Sequence, residues 1–198
     1  MPSQQIRGRD TFYKYKNILD FLVSIYSAFP IQLRKRLFER HRNTRGNIGY
    51  ALRYCILKTI CKECGDNVAI APGVYIFNAQ NLYLGNNISI HPMCYIECGP
   101  FEDSYIKIDD DVSIAHGTTI ICTSHTYKHE TIKTIKDMPV EFKPIHICSN
   151  VWIGAKSTIL YGVTVSSGCI IGANSVLTKS TDMDGIYVGA PARRVKER

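Results

Sequence analysis

From Ile147 to Val176 the chain reads ICSNVW IGAKST ILYGVT VSSGCI IGANSV, five consecutive units of six residues. Each unit opens on an aliphatic residue: Ile147, Ile153, Ile159, Val165 and Ile171, with Leu177 next in line. Four places on comes a second, smaller inward candidate: Val151, Ser157, Val163, Cys169 and Ser175. A helix repeats its apolar face about every 3.6 residues and a strand every second residue, so neither produces a strict six. Six is the period of a parallel β-helix, where each short strand is one side of a triangular coil. The aliphatic side chain points inward and the small residue packs near the corner. The expected fold is therefore mainly β, a parallel β-helix.

The same spacing reaches back toward residue 66. Val68 and Val74 are one hexad apart, and Leu84, Ile90 and Ile96 follow after a short frame shift. A hairpin-like insertion is expected over 98–105. Ile108, Ile114 and Ile120 then resume the series, with Val112 and Thr118 in the small slots. The interval from Ile120 to Ile147 is too long for one more hexad, so residues 126–144 leave the coil as an extended loop. Its side chains (Lys128, His129, Glu130, Lys133, Lys136, Asp137, Glu141, Lys143) are too polar to be buried alone. Long excursions from compact domains are usually functional, and this one has the reach to lie across another subunit.

Upstream the pattern changes. Residues 1–10 read as a frayed polar tail. Helices are expected over 17–26, over 31–40 with Pro30 near the first turn, and over 50–62 with Gly65 as a stop. The chain thus divides into a basic helical region, 1–65, and a β-helix with its loop and C-terminal tail, 66–198.

Charge sharpens that division. Of the formal net charge of +7, residues 1–66 hold 13 Lys and Arg against 5 Asp and Glu, or +8, leaving −1 for the rest. The helix at 31–40 is amphipathic, with Leu33, Leu37 and Phe38 against Arg34, Lys35, Arg36 and Arg40. It can pack on the end of the coil or lie on an anionic membrane. Nothing resembles a nucleic-acid motif, so no nucleic-acid partner is expected. No apolar run approaches the ~18 residues of a membrane span; the longest candidate, 18–31, carries Asp20 and ends around Pro30, with no signal-cleavage pattern. Eight cysteines without a secretory signal point to a reducing compartment. The expected location is cytoplasmic, with peripheral contact at the inner face of the membrane as the sharper variant. Cys61 and Cys64 form a lone CxxC with neither a second pair nor a nearby His.

The motifs Asn150-Val-Trp-Ile-Gly-Ala155, Gly162-Val-Thr164, Ile171-Gly-Ala-Asn-Ser-Val176, Thr178-Lys179 and Gly189-Ala-Pro-Ala-Arg193 resemble those of the hexapeptide-repeat acyltransferases. The subgroup they look most like comprises the galactoside, maltose, Nod-factor and bacterial polysaccharide O-acetyltransferases. The resemblance covers 66–198. It implies a left-handed β-helix, a homotrimer, and acetyl-CoA as acyl donor in the cleft between neighbouring coils. It places the catalytic base at His125, where the protruding loop begins. It implies cofactor contacts at Trp152, Ala155 and Ala173 along the pantetheine arm, Thr178 and Lys179 toward the nucleotide, and Arg193 and Lys196 at the CoA phosphates. It carries no metal requirement.

The chemistry fits an imidazole. A sugar hydroxyl must lose its proton as it attacks a thioester, and a group with an ordinary pKa of about 6.5 can accept that proton and pass it to the leaving thiolate. His91 stands where the sugar acetyltransferases carry an Asn, so it is read as an acceptor contact or second polar group, and Glu97 as an acceptor contact or a solvated side chain. His116 reads as structural, and His41, His129 and His146 as surface residues. The function expected is acetyl-CoA-dependent O-acetylation of a sugar hydroxyl, of a bacterial surface polysaccharide or its precursor. The alternatives are N-acetylation of a nucleotide-linked amino sugar, acetylation of a xenobiotic, and a non-enzymatic β-helix scaffold. A zinc enzyme built on His91, His116 and His125 would need convergent ligands, and these lack a closely spaced pair.

Overall fold

The computed structural model describes residues 8–127, 131 and 134–198. Three helices lead into a triangular prism of short strands. Face A stacks Glu63–Cys64, Leu82–Leu84, Ile106–Ile108, Ile145–Ile147 and Thr164–Val165. Face B stacks Val68–Ile70, Ile88–Ile90, Ser113–Ile114, Trp152–Ile153, Ile170–Ile171 and Gly185–Gly189, closed by Ala192–Glu197. Face C stacks Tyr75–Phe77, Tyr95–Glu97, Thr119–Ile121, Thr158–Ile159 and Val176–Leu177. The stacked strands of the three faces pair in parallel, and the terminal hairpin on face B pairs antiparallel. The hexad arithmetic is what the coil requires: each inward aliphatic stacks on its counterpart one coil away, as Ile108 does on Ile147 and Ile147 on Val165.

The interior is apolar and the Thr118 and Ser157 hydroxyls buried in it are satisfied. Ile108, Ile114, Ile120, Ile147, Ile153, Ile159, Val165 and Ile171 are all buried. Cys94 and Cys169 fill small slots as compact apolar groups. Thr118 Oγ1 donates to the Ala115 carbonyl (2.8 Å) and Ser157 Oγ to that of Gly172 (2.9 Å), which removes the cost of burying them. Corners need a residue in the left-handed region, and Asn or Asp supplies it between faces A and B at Asn67, Asn87, Asp111 and Asn150. Their short side chains tolerate that conformation.

Helix α1 (Gly8–Ser27) starts inside the stretch read as a tail, because Phe12 packs edge-on against Tyr54 with ring centres 5.3 Å apart and gives the first turns an apolar anchor. The second helix, α2 (Ile31–His41), is close to expectation. The third, α3 (Gly46–Lys58), begins and ends earlier than expected. The coil captures the following residues: Lys62 N–H donates to the Leu82 carbonyl at 3.1 Å, and Glu63–Cys64 already pairs with Tyr83 and Leu84. The first strand therefore lies before residue 66, where the sequence put the start of the β-helix. Helix α2 buries Phe38, and two of its cations are tied to protein: Arg34 donates to the Thr59 carbonyl and Lys35 to Gln80 Oε1. No helix among the described residues is long and apolar enough to cross a membrane.

Asp66 locks the helices to the first corner. Its carboxylate accepts from Lys16 Nζ (2.7 Å) and Lys58 Nζ (3.0 Å). The Lys16 hydrogen bond first, and that of Lys58 next, hold the Asp66 carboxyl below the usual carboxylate range. A depressed carboxyl stabilises above its unfolded pKa, and the contribution disappears as pH falls through the folded one. Asp66→Asn is accordingly expected to lower helix stability at neutral pH and to flatten its loss below about pH 4, read by circular dichroism during acid titration. An unaltered acid limb would mean that Asp66 is not the group responsible.

Candidate active site

The excursion is rooted in a two-stranded ribbon. Thr123–His125 leaves face C and pairs antiparallel with Val140–Phe142, His125 opposite Val140. Cys122 N–H donates to the Glu97 carbonyl and Lys143 N–H to the Cys122 carbonyl, both at 3.0 Å. The ribbon therefore begins three residues before the expected loop, and His125 sits on a hydrogen-bonded strand. Lys128, His129, Glu130 and Lys133 lie outside the described residues.

The His125 ring is exposed, and its Nδ1 is 3.3 Å from the carbonyl oxygen of Met138 on the returning side of the ribbon. A carbonyl only accepts, so Nδ1 carries the proton of the neutral ring and Nε2 keeps its lone pair. That is the tautomer a general base needs. Met138 itself is buried, which fixes the carbonyl.

Glu97 ends its face-C strand opposite Ile121, on the edge of face C from which the ribbon departs. Its Oε2 accepts from the Tyr95 hydroxyl at 2.8 Å, an interaction that raises the Tyr95 pKa and presents the carboxylate beside the Tyr95 and Phe77 rings. Thr178 and Lys179 are exposed on that same edge, two coils beyond the one from which the ribbon leaves. At about 4.8 Å per coil this is a rise of roughly 10 Å.

The remaining expected contacts lie elsewhere. His91, Ala155 and Ala173 occupy the corner between faces B and C, the opposite edge of face C. That corner is a continuous column: Gly117 N–H donates to Pro92 O (3.0 Å), Lys156 N–H to His116 O and Asn174 N–H to Ala155 O (both 2.9 Å). Ala173 is exposed and Ala155 half-buried, so the column has a smooth outer surface there. Trp152 projects from face B, 53% exposed, between Ser113 and Ile170. It is an outward side chain. Arg193 and Lys196 are exposed on the last strand. One chain thus presents two columns, His125, Glu97, Thr178 and Lys179 on one edge of face C, and His91, Ala155 and Ala173 on the other.

The three histidines considered for zinc do not converge, since His91 and His116 share one corner and His125 leaves from the other. Burial pushes the Cys61 and Cys64 thiols up, Cys64 to about 12, which disfavours the thiolate. His146, read as a surface residue, is instead paired with Asp109, Nε2 to Oδ2 at 2.7 Å, with Cys148 Sγ 4.0 Å from Nδ1. The signal was present in the hexads, because Asp109 follows Ile108 as Cys148 follows Ile147.

Residues 144–179 match the family described as bacterial transferase hexapeptide (six repeats). The galactoside O-acetyltransferase of Escherichia coli K12 is 26% identical over 197 residues, covering 100% of this chain and 80% of that protein. A maltose O-acetyltransferase from Clostridium difficile 630 superposes with a TM-score of 0.70 at 26% identity, over 84% of each chain. This chain is a hexapeptide-repeat acyltransferase. A galactoside acetyltransferase solved in complex with coenzyme A superposes on the enzyme with a TM-score of 0.68 at 27% identity, over 84% of this chain and 80% of that one.

Proposed function

We propose that the enzyme transfers an acetyl group from acetyl-CoA to a sugar hydroxyl. The observation that carries this is the placement of His125 on an exposed rim with Nδ1 3.3 Å from Met138 O, an acceptor that favours the Nδ1–H tautomer and leaves Nε2 to act as base. Nε2 removes the hydroxyl proton as the sugar oxygen attacks the acetyl carbonyl, and the resulting imidazolium returns that proton to the departing thiolate. Base catalysis of this type contributes about 10²–10⁴-fold. Glu97 lies on the edge from which the His125 ribbon departs and serves to orient the acceptor; the Phe77 and Tyr95 rings next to it suit the apolar face of a pyranose.

The outer surface of the Ala155–Ala173 column fits the pantetheine arm, because a thin chain can lie against side chains no larger than a methyl. Arg193, Lys196 and Lys179 are exposed cations suited to the CoA phosphates, with Thr178 and Trp152 flanking. The Ala155–Ala173 column and His125 of one chain stand on opposite edges of face C, about 10 Å apart by strand length, while Thr178 and Lys179 share the His125 edge. A neighbouring chain, its acyl-donor edge facing this chain's His125, would complete the cleft. That supports a homotrimer, with His91 of one subunit facing His125 of the next. The basic excess of residues 1–66 supports a phosphate-bearing or membrane-borne glycan precursor as acceptor, with the enzyme in the cytoplasm at the inner membrane face.

The test is release of CoA against a panel of galactosides, maltose, nucleotide-sugars and nucleotide-linked amino sugars, with each product treated with hydroxylamine. Cleavable esters on a sugar are the expected result. Products that are exclusively hydroxylamine-stable amides would replace this reading with N-acetylation.

A further inference from the structure

The corner between faces A and B carries a second group of chemistry-bearing side chains that acetyl transfer does not use. In-register stacking of Ile108 on Ile147 places the residues that follow them, Asp109 and Cys148, at the same corner of successive coils. The Asp109 N–H donates to the Ile147 carbonyl at 2.8 Å, which holds the two coils together there. His146 projects from face A beside Lys107. One donor atom from each of Asp109, His146 and Cys148 lies within 4.8 Å of the other two, and among the described residues they form the one grouping of His, Cys and acidic side chains compact enough for a metal.

We propose that Asp109, His146 and Cys148 bind a divalent transition-metal ion of the zinc type, clamping the coil before the excursion to the coil after it. A thiolate, an imidazole and a carboxylate are the donor set zinc selects. Tetrahedral zinc at about 2.0–2.3 Å from each ligand sets neighbouring donors roughly 3.3–3.6 Å apart. Cys148 Sγ is 4.0 Å from His146 Nδ1 while Asp109 Oδ2 meets Nε2, so with one nitrogen as ligand the three donors lie within 4.8 Å and a pair of them has to move by about an ångström. Lys107 Nζ sits 3.4 Å from Asp109 Oδ1, leaving Oδ2 directed at His146. All three side chains are partly exposed, so an ion can enter and a water can take the fourth position. A polar cleft of about 210 Å³, lined in part by Tyr83, Lys107, Asp109 and Ser149, opens beside them.

The clamp has a structural logic. The chain leaves the prism after residue 122 and rejoins it at 145, and Asp109 belongs to the coil before that gap while His146 and Cys148 belong to the coil after it. An ion held by both shortens the effective loop and restrains the ribbon that carries His125. Binding displaces the Cys148 proton, so affinity falls as pH is lowered.

Co²⁺ titration of the full-length enzyme tests this directly. The expected result is one equivalent bound with a thiolate-to-cobalt charge-transfer band, displaced by Zn²⁺, and a melting temperature that rises with metal. The band and the thermal shift should vanish in Cys148→Ser and fall at least tenfold in affinity in His146→Gln, yet persist in Cys61→Ser and Cys64→Ser. Circular dichroism verifies that each variant is folded. A wild-type enzyme that gives no charge-transfer band, or a band that survives Cys148→Ser or disappears with Cys61→Ser or Cys64→Ser, overturns the site. Neither result bears on His125, whose activity is assayed separately with metal removed.

Discussion

His125→Ala is expected to lower acetyl transfer by about 10²–10⁴-fold, the span of a lost general base, while acetyl-CoA still binds with its wild-type affinity. The separation follows from placement. His125 is exposed at the root of the ribbon, one edge of face C away from the Ala155–Ala173 column, so its removal takes away proton transfer and leaves the donor surface untouched. Its ring makes one 3.3 Å hydrogen bond to Met138 O, and loss of a partly exposed bond of that kind costs stability on the order of 1 kcal/mol. The fall therefore appears in kcat, with the melting temperature nearly unchanged. Added imidazole should restore part of the rate by supplying the missing base. A variant with wild-type turnover would remove His125 from the mechanism, and a variant that no longer binds acetyl-CoA would show that the ribbon positions the donor.

The largest stability effect is expected at Arg53. Its side chain is fully buried, 0% exposed, where α3 meets the α2–α3 turn and the first coil. Nε donates to the Ile70 carbonyl at 2.8 Å, and Nη1 to those of Thr44 (2.6 Å), His41 (3.1 Å) and Arg42 (3.4 Å). One guanidinium thereby ties the first strand of face B to the chain reversal that α3 packs against. Burial lowers the Arg53 pKa, and Nη2 has no partner among the described residues, so the group carries a desolvation cost that its carbonyl bonds must exceed. Arg53→Met keeps much of the volume but strands those carbonyls, and breaking a buried charged network costs about 3–5 kcal/mol. Lysine cannot rescue it, because one ammonium cannot span both directions as the planar fork does. The helices should melt first, seen by circular dichroism at 222 nm, while Trp152 fluorescence reports a later transition of the coil. Coincident melting at the wild-type temperature would show that Arg53 does not hold the two parts together.

The inward column was readable because a buried position in a coil admits only an aliphatic or small side chain, and a coil of three short sides repeats that demand on a fixed count. Helix ends were less readable. Thr59 to Lys62 continue a helical pattern, yet the backbone there gains more by pairing with Leu82 than by extending α3. At the other end Phe12 drew Gly8 and the residues after it into α1 by meeting Tyr54, a residue far along the chain. Of the candidate residues, His125 was proposed from the family resemblance, which puts the base where the protruding loop begins. The His125 tautomer was not legible, since that depends on Met138 across the ribbon. His146 looked like one more surface histidine until the coils were stacked and Asp109 came beside it.

The sequence by itself determined the period, and with it the prism, its apolar interior and the existence of the excursion, because burial constrains every sixth residue directly. The resemblance to the acyltransferases was also legible in it, through motifs that run over strands and corners alike. Only the tertiary structure decided which outward residues share an edge. Outward positions are free of the packing rule, and insertions between coils shift them without disturbing the hexads. The sorting of His125 and Glu97 from His91, Ala155 and Ala173, and the meeting of Asp109 with His146 and Cys148, follow from how the coils register in space.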